Sequence, residues 1–356
     1  MERYLGLDVH AQSCTLAVIS ESGKRLRDLV IETNGEALIE ALRLIPGRKH
    51  LCLEEGTQSA WLCEILEPHV DELVVVGTRG ERGQKSDKRD AYARAEELRR
   101  GALGTRVFKA PSSFGLLREL AKSHLQVGRD VVRIQARLKS VYRSRGIPTP
   151  GARVYGTRER PAWLERLPLA SQRRAQGLYA QLDFLVEHKQ RAEAELIEEL
   201  AQHPIAKVLH TCPGLGPIRV ARLLSIVVTP HRFRTRQQFW SYCGLGIVMR
   251  SSSDWLRTAD GQWIRGSVPQ TRGLSRQHNA VLKALFKGAA TSVITQAGDG
   301  PLYADYRRML ESGTKPNLAK LTLARKIAAT TLRLWKDEEV YSPQIARANT
   351  ARARVS

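Results

Sequence analysis

Four carboxylates, Asp8, Glu54, Asp87 and Asp90, have the residue type and placement to hold divalent cations beside a phosphodiester. Asp8 lies in the apolar run Tyr4-Leu5-Gly6-Leu7-Asp8-Val9, where strand alternation sends Leu5, Leu7 and Val9 to one face and Asp8 to the other. Glu54 closes a second apolar run, His50-Leu51-Cys52-Leu53-Glu54, just before the turn residues Gly56 and Thr57. Asp87 and Asp90 stand three apart at the start of a helical stretch, 87–100, and so share one helix face. Oxygen donors of this kind suit Mg²⁺. Like charges at close range raise one another's pKa, so such a cluster is costly without a cation. Taken singly, Asp87 and Asp90 also read as helix N-terminal acids, and Glu54 as a surface residue. The set as a whole, with Asp8 inside an apolar strand, argues for a metal site. His10 could face that site too, but it reads first as a solvated histidine at a strand end.

The elements that must position these residues follow from periodicity. Residues 1–78 read as strands at 4–9, 14–20 and 26–32, a helix at 35–44, a strand at 50–54, a helix at 58–67 and a strand at 72–77. The polar, glycine-bearing stretch 79–86 is a loop leading into the helix that carries Asp87 and Asp90. Three strands in series, then alternating strand and helix, argue an α/β sheet of mixed strand order, the order RNase H-like folds use.

Beyond it the pattern turns helical. From 112 to 145, Leu117, Leu120, His124, Val127, Val131, Ile134, Leu138 and Val141 repeat at spacings of three and four, a heptad seam. The other faces of that helix carry Arg118, Lys122, Arg129, Arg133, Arg137, Lys139, Arg143 and Arg145. A second helix, 170–202, repeats the spacing through Leu178, Leu182, Leu185, Ala192 and Leu196. The two seams permit either an antiparallel hairpin or pairing between protomers. The segment 146–160, with Pro148, Pro150 and Gly151, reads as a loop. Near Pro204 a third module begins: Pro213-Gly214-Leu215-Gly216-Pro217 before an apolar helix reads as a helix-hairpin-helix, whose glycine turn can meet a phosphate. Helices are expected at 280–290 and 315–334. The class is α/β plus α, in four parts: 1–108, 109–203, 204–345 and a basic tail at 346–356.

Charge restricts the partner. The chain of 356 residues carries 57 Lys plus Arg against 36 Asp plus Glu, a net of +21. Residues 1–80 hold 8 basic and 13 acidic side chains, so the remainder carries +26. An acidic module joined to a basic remainder suits a polyanion such as nucleic acid. No apolar run approaches the length of a membrane span and no signal peptide opens the chain, which reads as soluble and cytoplasmic, with no membrane partner. The five cysteines are odd in number and show no CxxC spacing, against a disulfide framework or zinc site and in keeping with a reducing compartment.

With these landmarks the chain resembles the transposases of the DEDD-plus-serine insertion-sequence family, the type guided by a bridge RNA. The resemblance rests on G-L-D-V-H (6–10), C-L-E-E-G-T (52–57), K-S-D-K-R-D-A (85–91), P-G-L-G-P (213–217), F-W-S-Y-C-G-L (239–245) and the serine run 251–253. It implies a resolvase-like RNase H domain in which Asp8, Glu54, Asp87 and Asp90 bind Mg²⁺. Glu55 adjoins Glu54, and strand alternation together with the family pattern favours Glu54. The resemblance also implies a serine nucleophile. Counting from Gly244-Leu245 places it at Ser252, with Ser251 and Ser253 as alternatives because Ser253-Asp254 replaces the family's glycine. Element and target DNA, a guide noncoding RNA and a homodimer or homotetramer are the partners it implies. The competing reading is a structure-specific nuclease that uses the acidic tetrad alone.

Overall fold

The structure is a computed structural model describing residues 1–77, 86–108, 114–250, 255–265, 270–275, 277–298 and 300–344. The chain forms two compact units, Met1–Gly115 and Leu116–Ser356.

In the first unit β1 (Glu2–Val9), β2 (Ser13–Ser20) and β3 (Arg25–Glu32) pair antiparallel in series. On the other side of β1, strands β4 (Arg48–Glu54) and β5 (Glu72–Val76) run parallel to it, giving the order β3-β2-β1-β4-β5. Strand alternation divides the sheet into two unlike faces. Leu5, Leu7, Leu16, Val18, Leu51 and Leu53 pack on Leu38 and Leu42 of α1 (Gly35–Arg43) and Leu62 and Leu66 of α2 (Ser59–Leu66). The opposite face presents Ala17, Ile19, Cys52, Val74 and Val76 to α3 (Asp87–Arg99), which answers with Ala91, Tyr92, Ala95 and Leu98. This mixed sheet, helical on both faces, fits an RNase H-like domain. The observed elements match the sequence expectation to within about two residues, the usual fraying of element ends.

At the end of the sheet where β1 begins, His50 bridges two acids. Its Nε2 lies 2.7 Å from Glu2 and its Nδ1 2.9 Å from Glu72, while the ring stacks on Tyr4 at 5.0 Å. Arg48, beside Glu2 and Asp71, and Arg106, beside Glu72, complete the charges around it. Burial works against the imidazolium, but the hydrogen bonds and charges of Glu2 and Glu72 outweigh it and raise His50 above its ordinary value. A raised histidine contributes stability that is present below about pH 6.5 and is lost as pH rises through the folded value. The melting temperature of the first unit is therefore expected to fall on going from pH 6 to pH 8. A His50→Gln variant should flatten that slope; an equal slope in the variant would assign the pH dependence to other groups.

The second unit is mostly helical. Val131, Ile134, Leu138 and Val141 of α4 (Gly115–Arg143) share one buried cluster with Ala175, Tyr179 and Leu182 of the long helix spanning Leu169–Ala201. The Tyr142 and Tyr179 hydroxyls are 3.0 Å apart, and His124 lies 3.4 Å from Glu193, so the helices run antiparallel. Of the two arrangements the seams permit, the hairpin within one chain is formed. The segment between them is more ordered than its prolines suggest. It contains α5 (Arg160–Glu165), and Val154 enters the core as its carbonyl accepts from the Tyr179 hydroxyl at 2.9 Å. Arg160 closes the link through two 2.6 Å contacts to Asp183 of the second long helix, α6.

Next, α7 (Ile205–His210) and α8 (Pro217–Val227) are joined by a tight turn at Gly214, whose φ is 82°. A Cβ on Gly214 would lie 2.5 Å from the Ala289 carbonyl oxygen of the helix Ala280–Gln296, so only glycine admits this approach. That close packing is one use of the glycine turn that P-G-x-G does not announce. Helices α9 (Arg236–Tyr242), α10 (the Ala280–Gln296 helix) and α11 (Pro301–Glu311) surround α12 (Pro316–Asp337), whose Leu323, Ile327, Leu334 and Trp335 are buried. Two antiparallel pairs were not foreseen: β6 (Ile247–Arg250) with the strand Gln270–Leu274, and β7 (Trp255–Arg257) with β8 (Trp263–Arg265). Strands of three to five residues are too short to carry a periodic signal. The run Ser251-Ser252-Ser253 lies between β6 and β7, outside the described residues, as does the tail 346–356.

Candidate metal centre

Asp8 and Glu54 stand at the carboxyl ends of two adjacent parallel strands, β1 and β4, and share a face with Gly6 and Cys52 respectively. That face is the one covered by α3, and the carboxyl ends of parallel strands are where α/β sheets gather ligands. The close approach of α3 depends on Gly6. A methyl group there would overlap the Ala91 carbonyl oxygen and come within 2.7 Å of Ala95 N. With glycine in place, the first turn of α3 delivers Asp87 and Asp90 to the Asp8 end of the strand.

The side chains that meet are not the full sequence-derived set. One oxygen of Asp8, one of Asp87 and the imidazole of His10 lie within 4.8 Å of one another. His10 Nε2 is 3.2 Å from Asp8 Oδ2 and 3.4 Å from Asp87 Oδ1. Asp90 is half-buried one turn further along α3 and acts on Asp8 through its charge. Burial raises the Asp8 carboxyl above the usual carboxylate range, Asp87 and Asp90 raise it further, and His10 opposes them. Glu54 has a different immediate partner. Its carboxylate is in direct contact with the Arg94 guanidinium, which is almost wholly buried and also lies 2.8 Å from Glu97. Arg94 is one helical turn beyond Asp90 and belongs to the α3 surface facing the sheet. The neighbouring Glu55 donates its backbone N–H to the Val76 carbonyl at 2.8 Å, continuing the end of the β4–β5 ladder.

Sequence reasoning set His10 aside and did not see Arg94 at all. His10 follows Asp8 by two residues, a spacing that puts both on one strand face, and this was the available signal. Arg94 carries none, because an arginine in a helix with as many acidic as basic side chains reads as one more solvated charge.

Carboxylate oxygens and an imidazole converging on one point are donors that suit a divalent cation. The mutual repulsion felt by Asp8 is what a bound cation would relieve. The mixed sheet with helices on both faces fits an RNase H-like domain of the DEDD kind. Two family models match the chain: a DEDD-type transposase model over residues 5–144, and one described as the transposase IS116/IS110/IS902 family over residues 206–307. The protein belongs to this insertion-sequence transposase family and is a DNA transposase, a recombinase acting on phosphodiesters. No curated protein matches the chain. Among the described residues, no helix is long and apolar enough to cross a membrane.

Proposed function

We propose that this transposase cuts and rejoins the DNA of its own mobile element with two sets of groups. An acidic centre of Asp8, Asp87, Asp90 and Glu54 would hold Mg²⁺, and Ser252 would act as nucleophile. The observation that carries the acidic half is the convergence of Asp8, His10 and Asp87 at the carboxyl end of β1. The serine half rests on the family resemblance, which places the nucleophile at Ser252 after Gly244-Leu245.

The chemistry is a balanced exchange. The Ser252 hydroxyl gives up its proton and attacks phosphorus; a phosphoserine ester forms as the bond to the departing deoxyribose oxygen breaks, and that oxygen takes a proton. Attack by a strand hydroxyl then reverses the step and reseals DNA without external energy. Divalent cations at the acidic centre would offset charge on the attacking and leaving oxygens. Asp8 and Asp87 would hold the cation, which would supply the charge that orients a phosphate, and Arg94 pairs with the Glu54 carboxylate at the end of β4.

A structured noncoding RNA as guide, and a dimer or tetramer as the working form, complete the reading. Its support is the charge of the chain, +21 overall, and the exposed Lys122, Arg129, Arg137 and Arg143 on α4. Strand exchange also needs more than one active site. The five cysteines, all buried as free thiols, suit the reducing cytoplasm where the element's DNA resides.

The test is incubation with cognate DNA and guide, denaturation, and peptide mapping. A denaturant-stable protein–DNA adduct is expected within residues 250–257, and it should vanish in Ser252→Ala. An adduct on Ser251 or Ser253 would move the nucleophile by one residue. DNA cut without any adduct would leave a structure-specific nuclease that works through the acids alone.

A further inference from the structure

The donor set at the end of β1 is not the all-carboxylate set that a purely oxygen-ligated Mg²⁺ centre would present. His10 contributes a nitrogen within 4.8 Å of the Asp8 and Asp87 oxygens. Glu54, the acid that would supply another oxygen, is engaged by Arg94. The backbone fixes His10 in this place. Its N–H donates to the Ser13 carbonyl at 3.1 Å and its carbonyl accepts from the Thr33 hydroxyl at 2.9 Å, closing the β1–β2 connection beneath the ring. The ring itself is half-exposed, so an ion can reach it from solvent.

Resting on the metal-dependent reading above, we infer that His10 is a ligand of this centre and tunes it toward divalent transition ions that accept nitrogen, with Mn²⁺ favoured over Mg²⁺. Mg²⁺ demands near-octahedral oxygen coordination and gives up its waters reluctantly. Imidazole is a softer donor and gains more from a first-row transition ion than from Mg²⁺. Two carboxylates and one imidazole resemble the mixed sets that hold such ions, with positions left for water and phosphate oxygens. The competing role for His10 is an imidazolium that merely pairs with Asp8 and Asp87 and leaves when any cation arrives.

The experiment titrates the full chain with Mn²⁺, followed by electron paramagnetic resonance, and then displaces the ion with Mg²⁺. Wild type, His10→Ala and Asp8→Asn are compared, with circular dichroism melting as the control for folding. Wild-type protein should bind Mn²⁺ with a nitrogen coupling in its spin-echo spectrum. In His10→Ala that coupling should vanish and Mn²⁺ affinity should fall by about tenfold or more, at least the cost of losing an outer-shell partner, while Mg²⁺ affinity changes much less. Mn²⁺ bound without nitrogen coupling, a coupling that survives in His10→Ala, or an equal loss for both ions would overturn the inference. These outcomes leave the metal-dependent reading standing. Wild-type protein that binds neither ion, or Asp8→Asn that binds both undiminished, would overturn the reading itself.

Discussion

Replacing Asp8 with asparagine should lower DNA strand cleavage by about 10²-fold or more, the scale of losing one group that stabilises developing charge, while leaving the first unit folded. The side chain sits where β1 meets the first turn of α3, beside His10, whose Nε2 also reaches Asp87, and its backbone keeps its place in the β1–β2 ladder through Asp8↔Thr15. Asparagine keeps the shape and loses the charge. The effect on stability should be opposite in sign to the effect on activity. Burial, Asp87 and Asp90 hold the Asp8 carboxyl above its ordinary value, so between the unfolded and the folded pKa the native state binds more protons than the unfolded chain. Stability of the metal-free protein therefore falls as pH rises through that window. The amide in Asp8→Asn cannot ionise, so the variant should melt no lower than wild type at neutral pH and show a flatter profile on the acid side. Cleavage assays in divalent metal, with melting from pH 4 to pH 7, give both readings. Undiminished cleavage would remove Asp8 from the mechanism.

A single methyl group at Gly6 should be as damaging as any change in the first unit. Gly6 is the point of closest approach between β1 and α3, and a Cβ there meets backbone atoms of Ala91 and Ala95 rather than the end of a flexible side chain. Backbone cannot rotate out of the way, so α3 must move off the sheet. Overpacking of this kind costs about 3 kcal/mol or more, the upper part of the usual range. The same displacement carries Asp87 and Asp90 away from Asp8, so Gly6→Ala should lose cleavage together with stability. Amide hydrogen exchange reads the first unit separately, which matters because a chain of two units need not unfold in one step. Exchange should accelerate in β1 and α3 of Gly6→Ala. Gly56→Ala is the control, since a Cβ at that exposed position meets nothing within 4 Å. Unchanged protection in Gly6→Ala would mean that α3 does not lie this close to β1.

Much of the first unit could be read directly from residue order. Leu5, Leu7, Leu51 and Leu53 alternate with Gly6, Asp8, Cys52 and Glu54, and a period of two places Asp8 and Glu54 on the face opposite the Leu core whatever the rest of the chain does. The spacing of Asp87 and Asp90 likewise assigns them to one helical face. The apolar spacing in α4 and α6 also marks much of the stripe that each helix buries.

The folded chain decided what periodicity does not encode: which of two permitted partners a group takes. The seams close within the chain because the Val154 segment and Arg160 tie the hairpin, through contacts 23 to 25 residues apart in sequence. Glu54 meets Arg94 and His10 enters the acid cluster for the same kind of reason. Side chains 40 and 77 positions apart, in Glu54–Arg94 and His10–Asp87, become neighbours only when α3 settles on the sheet over Gly6. Local sequence sets the face on which a side chain lies, since that depends on backbone geometry alone. Its partner depends on distance in space, and that is a property of the packed sheet and helix together.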